Sequence, residues 1–422
     1  MHIKPSELLF RILLLFPITT LFQAHIEWLN KAVFVVLFGV LIYVGYGKIK
    51  IRNMWILALM VIDYFFSVFY TGEMPYNLNE LFYFPFAIIF LLFAEANLDK
   101  MLTYFETDRC YILNVVRIWT ALVFISFFLP SSYSVEWGEA QYFGSFCQSI
   151  WRLAPTCIFI MTLSICFMTI YKKKRYIFYS IIPLVCLYMG GSRTYLGIGL
   201  IVFVIAWYYF VNTSVKFYIS LIPILGALVY FIFNSSIADK ISATTYTNDS
   251  YFDLWGTITN GRSIFWLADL EAFLDSNVLN KLLGNGLNLI YDINNDAFDG
   301  LVWAHNDFIQ FLISHGLIGL IIYLVVICKL CHKMKVKING VVPVMGAIGV
   351  WLLNASFNMF YTYFCSILSF PFLVMAICYS GNHAVIDKKR KLKFRECVMA
   401  SAGISSKRSR NIILFAKRER SF

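Results

Sequence analysis

Three side chains of this sequence have the types and spacing that group-transfer chemistry needs. His305 stands beside Asn306 just ahead of a long apolar run, where an imidazole can act as a general base near neutral pH. Arg193 follows a Gly-Gly-Ser turn at the head of another apolar run, and Arg262 follows Asn-Gly. Because guanidinium groups fork onto phosphate oxygens and stay charged, these two arginines suit a diphosphate ligand.

Each of these residues also has a structural alternative. His305 could be an interfacial histidine with its hydrogen bonds satisfied, Arg193 a snorkelling residue, and Arg262 the partner of a loop salt bridge. Two further patterns bear on His305. Asn306 or Asp307 can cap the helix that follows. Positions 305, 309, 312, 316 and 319 fall on one helical face that ends in two glycines, which predicts close approach of a neighbouring helix.

The elements that position these residues are membrane spans. The chain has 422 residues, 60% of them hydrophobic and only 14% charged, with a mean hydropathy of +0.71. This composition predicts an all-α polytopic membrane protein, and its apolar runs predict about twelve transmembrane helices with one large external loop. The candidate spans are 8–22, 32–46, 54–70, 81–96, 111–129, 153–171, 176–190, 194–211, 217–234, 308–328, 340–360 and 362–380.

Charge indicates the orientation of these spans. Alternate loops carry most of the lysines and arginines, which places both termini in the cytoplasm by the positive-inside rule. Residues 381–422 hold twelve Lys and Arg against three acidic residues, so this tail accounts for nine of the eleven net positive charges. A concentrated basic tail suits anionic lipid headgroups rather than nucleic acid. The first apolar segment lacks a small-residue cleavage site and is expected to be a retained helix.

The pattern predicts four regions. Residues 1–234 hold nine spans, 235–307 form the large external loop, 308–380 hold three spans, and 381–422 form the basic cytoplasmic tail. Within the loop, 263–277 shows helical spacing with a broad apolar face and is expected to lie on the outer membrane surface. Asp63 and Arg117 fall inside spans and could pair with each other or line a groove.

Three features, in order along the chain, resemble landmarks of the bacterial O-antigen polymerase and ligase family. They are Ser192-Arg193 at the head of a span, Gly261-Arg262 followed by Trp266 and Leu283-Gly284-Asn285-Gly286, and His305-Asn306 followed nine residues later by Gly316-x-x-Gly319. The resemblance covers roughly residues 180–330 and does not extend to the N-terminal spans except in number and hydropathy.

The resemblance implies a membrane glycosyltransferase of the bacterial inner membrane, with 235–307 as a large periplasmic loop. Its substrate would be an undecaprenyl-diphosphate-linked oligosaccharide. It implies that His305 deprotonates an acceptor hydroxyl and that Arg193 and Arg262 bind the diphosphate and stabilise its departing charge. Asn306 is expected to contact the substrate. No cofactor and no metal are expected, and the expected partners are membrane lipids and a polysaccharide chain-length regulator.

Within this family we favour a polymerase that joins repeat units into O-antigen or a related surface polysaccharide. An O-antigen ligase that transfers glycan to lipid A-core is the alternative, although Leu320 stands where some ligases carry a small or hydroxyl residue. From another class, a lipid-linked oligosaccharide flippase or other transporter also fits the number of spans. Such transporters usually place polar sites at the midplane, whereas the candidate residues here cluster around one long loop.

Overall fold

The fold is described from a computed structural model, which covers residues 4–45, 49, 53–69, 74–137, 140–211, 214–233, 259, 262–298 and 302–381. The basic tail and most of 234–261 lie outside these residues. The long helices of the first half are α1 Pro5–Leu21, α2 Glu27–Gly45, α3 Met54–Phe69, α4 Glu80–Thr107, α5 Arg109–Ser126 and α6 Ile150–Ile170. They are followed by α7 Ile181–Met189, α8 Arg193–Val211 and α9 Ser214–Phe233.

Three helices form the described part of the large loop, and four more follow within the described residues up to 381. The loop helices are α10 Arg262–Asp275, α11 Val278–Leu283 and α12 Leu289–Phe298, and residues 262–298 are called the loop module below. The remaining helices are α13 Asp307–Cys331, α14 Val336–Asn339, α15 Val341–Phe357 and α16 Phe364–Gly381.

The chain is an all-α membrane protein. In the described part of the chain, seven helices are long and apolar enough to cross a bilayer: α2, α4, α5, α6, α8, α13 and α16. Two shorter apolar helices, α3 and α15, also coincide with candidate spans. The segment 176–190 differs from a regular span, because a 3-10 helix at Lys174–Ser180 precedes the nine-residue α7.

Helix α6 lies at the centre of the bundle, and its candidate span is buried along its whole length. From 153 to 170 every residue is buried, and the mostly apolar sequence lets each face of the helix pack against its neighbours. Phe159 packs edge-on against Phe372 of α16, with ring centroids 5.4 Å apart, and Phe372 also contacts Phe10 of α1. The middle of α6 is thereby fixed relative to α1 and α16.

A small β-hairpin interrupts the helical pattern between α5 and α6. Strand β1 Tyr133–Trp137 pairs antiparallel with β2 Ala140–Phe143, with Tyr133 opposite Phe143. The all-α expectation did not include it, because hydropathy over long apolar runs does not indicate short strands in a connecting segment. The hairpin holds Tyr142 against Gly191, whose φ of +66° belongs to the turn that precedes Arg193.

Helix α13 is broken at Gly316, which has φ 60° and ψ −166°. A β-carbon at this position would lie 2.5 Å from the carbonyl oxygen of Leu282, so only glycine fits against α11. The prediction of close approach at this glycine is confirmed, but the neighbour is the short loop helix α11 rather than another span. The break also means that 305–319 do not form the single continuous helical face that the spacing predicted.

The predicted Asp63–Arg117 pair is wrong. Asp63 of α3 instead lies 3.0 Å from His315 Nδ1 of α13, and both side chains are buried. Ser67 Oγ lies 3.1 Å from the same nitrogen. Arg117 is exposed on α5 and donates to Asn114 of the same helix at 3.3 Å. Hydropathy places both residues in spans but does not indicate which side of each helix faces the bundle.

Candidate active site

The turn that carries His305 is set by a helix cap. Asn306 precedes α13, and its side-chain oxygen accepts hydrogen bonds from the backbone N–H groups of Phe308 and Ile309 at 2.9 and 3.2 Å. The prediction of a cap is confirmed and assigned to Asn306. His305 has a φ of +54°, so the chain turns sharply at this residue and His305 is not part of the helix.

Arg262 meets His305 at one cavity of about 950 Å³. Arg262 is the first residue of α10, and its Nη1 donates to the carbonyl oxygen of Phe357 at the end of α15. Trp266, one turn later, donates from Nε1 to the carbonyl oxygen of Ala304 at 2.7 Å. Helix α10 is therefore tied directly to the turn that holds His305, which explains how residues 43 positions apart reach one cavity.

The other two predicted site residues are not among the described residues that line this cavity. Asn306 uses its side-chain oxygen in the cap and is largely buried. Arg193 begins α8, and its neighbouring turn packs on Tyr142. The first turn of α8 is nevertheless close to the cavity, because Tyr195 interacts electrostatically with Arg262.

Two cations that the sequence argument did not select do line the cavity. They are Lys31 of α2 and Arg152 in the first turn of α6. With Arg262 they give three positive side chains around His305, and no Asp or Glu is found among the described lining residues. A wall with this charge favours an anionic ligand. The sequence offered one signal for these two residues. Few cations fall in the predicted external loops, and Lys31 and Arg152 are two of those few.

The cavity also has an apolar wall and a wall of amide side chains. The apolar wall is formed between α2 and α4 by Phe34, Val35, Phe82 and Phe86. The amide side chains are those of Gln23, Asn30, Asn77 and Asn79. Helix α2 is the least buried of the seven candidate spans, and Val35 is 61% exposed although it lines the cavity. The apolar wall therefore continues to the outer face of the bundle beside α2.

Burial lowers the pKa of His305 to about 3, and the positive charge of Arg262 lowers it further in the same direction. The imidazole is consequently neutral at physiological pH and can accept a proton. Burial also lowers the pKa of Arg262 to about 10, which leaves this guanidinium charged at neutral pH. The two side chains thus supply one neutral acceptor and one fixed cation to the cavity.

The loop module is fastened to the segment between α3 and α4. The Tyr76 backbone N–H donates to Asn288 Oδ1 at 2.9 Å, and Asn288 Nδ2 donates to the carbonyl oxygen of Met74 at 3.1 Å. The Tyr291 hydroxyl donates to Glu80 Oε1 at 2.8 Å and accepts from Trp303 Nε1. These bonds fix the loop module against the same part of α4 that lines the cavity.

Helix α10, expected over 263–277, is confirmed at Arg262–Asp275, and it carries one buried carboxyl that the predicted apolar face did not include. Leu267, Leu270 and Leu274 are exposed, whereas the side chain that is fully buried on this helix is the carboxyl of Asp269. Neither oxygen of Asp269 has a hydrogen-bond partner in the described part of the chain. Burial raises the pKa of this carboxyl to about 7.

The raised pKa of Asp269 makes a testable prediction about stability. The folded protein holds this proton more tightly than the unfolded chain, so the stabilisation is complete below pH 3.8 and is lost as pH rises through 7. The loss is about 4 kcal/mol for a shift of this size. In detergent, the thermal unfolding midpoint of the wild type should decrease as the pH is raised from 5 to 8. The midpoint of Asp269→Asn should decrease clearly less over the same range.

Asp275→Asn provides the control for this prediction, because Asp275 is exposed on the same helix. It should keep the wild-type dependence of the midpoint on pH. Equal pH dependence in the wild type and Asp269→Asn would contradict the raised pKa.

Among the described residues, no group of three or more His, Cys, Asp or Glu side chains is arranged to hold a metal ion. In comparisons with known proteins, no family model matches the chain and no curated protein matches it.

Proposed function

We propose that this protein is a membrane glycosyltransferase that polymerises undecaprenyl-diphosphate-linked oligosaccharide repeat units into O-antigen or a related surface polysaccharide. We further propose about twelve spans in a bacterial inner membrane, with both termini cytoplasmic and residues 235–307 on the periplasmic side. The exposed leucines of α10 support contact of the loop module with the outer leaflet.

One observation carries this proposal. His305 lies with three cations and no described acidic side chain in a cavity whose apolar wall reaches the exposed face of α2. An anionic headgroup on a long apolar chain is the ligand class that matches both parts of such a cavity. A prenyl diphosphate is of this class, and the amide side chains on the remaining wall are suited to sugar hydroxyls.

The proposed reaction is a glycosyl transfer. The His305 imidazole takes the proton of the acceptor sugar hydroxyl, whose oxygen forms a new bond to the anomeric carbon of the donor. The bond between that carbon and the diphosphate oxygen breaks, and the diphosphate leaves with the electron pair. Arg262 stabilises the charge of the leaving group. The role assigned to Arg193 stays a prediction, and Arg193 does not line the cavity.

The low pKa of His305 bears directly on this reaction, because a base of pKa about 3 is a weak proton acceptor. The donor brings negative charge close to Arg262 and offsets the positive charge that lowers the His305 pKa. We therefore expect the pKa of His305 to be higher in the enzyme–donor complex than in the free enzyme.

A pH profile tests this expectation. Since transfer needs the neutral imidazole, the rate falls as pH drops through the pKa of His305. The acid limb of kcat/KM reports the free enzyme and should lie below pH 5, whereas the limb of kcat reports the complex and should lie at higher pH. Coincident acid limbs for kcat and kcat/KM would contradict activation by the donor.

The function itself is tested by deleting the gene in its native host and restoring wild type or His305→Asn. Asn is chosen because it tolerates the positive φ of this position. Loss of a polymerase leaves single repeat units on the acceptor, and His305→Asn should give the same single-repeat pattern. Unmodified acceptor with long carrier-linked polymer would instead indicate a ligase. Carrier-linked single repeats confined to the cytoplasmic side would indicate a flippase.

A further inference from the structure

Arg152 lies at a position that helix stability does not explain. It is the third residue of α6, and Ser149, Trp151 and Arg152 all line the cavity. A cation in the first turn of a helix is unfavourable, because the helix dipole is positive there. Arg152 is exposed and has no ion pair or side-chain hydrogen bond within the described ranges.

Tyr363 connects Arg152 with Arg262. This tyrosine lies on the cavity wall between α15 and α16, and its phenol interacts electrostatically with both guanidinium groups. The two arginines come from different elements, α6 and α10, and line the same cavity as Tyr363. Two guanidinium groups in one cavity match a ligand with two adjacent anionic groups better than a ligand with one.

The positions of the two arginines relative to the apolar wall define the direction of the ligand. Phe34 and Val35 of α2 and Phe82 and Phe86 of α4 line the same cavity as Arg152. Val35 is exposed, so this wall is continuous with the lipid-facing surface. A prenyl chain lying there remains in an apolar environment while its charged end reaches the arginines.

We infer that Arg152 and Arg262, which line one cavity, form the diphosphate subsite, and that the prenyl chain leaves the cavity between α2 and α4. This inference rests on the proposed function and names the residues that bind the donor. It assigns to Arg152, which sequence analysis did not select, a direct contact with the leaving group.

Binding of undecaprenyl diphosphate, without any glycan, tests the subsite. The full-length protein is placed in nanodiscs of phosphatidylcholine, and binding of the diphosphate and of undecaprenyl monophosphate is measured for each variant. Arg152→Ala should weaken diphosphate binding by about 10- to 100-fold, as expected for loss of charge-assisted hydrogen bonds, and should reduce the preference over the monophosphate. Arg152→Lys, which keeps the charge, should recover part of both.

Arg117→Ala is the matched control, because Arg117 is an arginine outside the cavity. It should bind like the wild type. If the wild type binds the diphosphate and Arg152→Ala binds it equally well, the subsite is overturned while the proposed function stands. If the wild type does not bind it, the proposed function and the subsite both fail. Equal competition by phosphatidylglycerol would show a general lipid-headgroup site and would also overturn the assignment.

The path of the prenyl chain has its own measurement. A photoreactive amino acid at position 35 should crosslink to added undecaprenyl diphosphate. The same amino acid at position 42 is the control, because Ile42 is also exposed on α2 but does not line the cavity. Equal crosslinking at both positions would contradict an exit between α2 and α4.

Discussion

Replacing His305 by Asn is expected to lower the rate of glycosyl transfer by about 10²- to 10⁴-fold, the usual contribution of a positioned general base. The substitution removes the proton acceptor, while Asn tolerates the φ of +54° at this position. Binding of the donor should change little, because Arg152, Arg262 and Lys31 remain in the cavity. The measurement is polymer formation from carrier-linked repeat units by purified protein, with donor affinity determined in parallel.

The control for this variant is His332→Asn. His332 follows α13 at the opposite end from His305 and does not line the cavity. It should leave transfer unchanged. If His305→Asn kept more than about a tenth of the wild-type rate, general-base catalysis by His305 would be ruled out on magnitude alone.

Replacing His315 by Ala is expected to destabilise the folded protein by about 3 kcal/mol or more. The substitution leaves Asp63 buried without the partner that lies 3.0 Å away, and a buried charge or polar group without a partner is costly. It also removes the ring that stacks on Phe84 of α4, with centroids 4.2 Å apart. The free energy of unfolding in mixed micelles, titrated with a denaturing detergent, measures the effect.

The double variant Asp63→Leu with His315→Leu separates the pair from its surroundings. Removing both polar partners together costs less than orphaning one of them, so this variant should be more stable than His315→Ala. A double variant less stable than His315→Ala would contradict the assigned cost of an unpaired Asp63. In that case packing of the imidazole against Phe84, rather than pairing, would dominate.

Hydropathy and local spacing predicted the elements well. Every candidate span coincides with helical structure, because an apolar run must satisfy its own backbone hydrogen bonds in a bilayer. The cap at Asn306 and helix α10 were also predictable, since both depend on residues close in sequence. The close fit at Gly316 followed from its lack of a side chain.

Predictions that depended on distant contacts were less complete. The partner of Asp63 is 252 positions away on α13, and no local pattern selects His315 over Arg117. Arg152 was visible as a rare cation in a predicted external loop, but its place in the same cavity as Arg262 depends on how α6 packs in the bundle. The break at Gly316 removed the continuous face on which His305 was expected, because backbone torsion at one residue redirects the chain.

The most direct test of the central claim is reconstitution of the purified protein with undecaprenyl-diphosphate-linked repeat units alone. If the cavity at His305 and Arg262 performs glycosyl transfer, the lipid-linked glycans will lengthen and one undecaprenyl diphosphate will be released for each new linkage. Lengthening and release should both be lost in His305→Asn. Failure of the wild type to release undecaprenyl diphosphate or to lengthen the glycans would contradict the account.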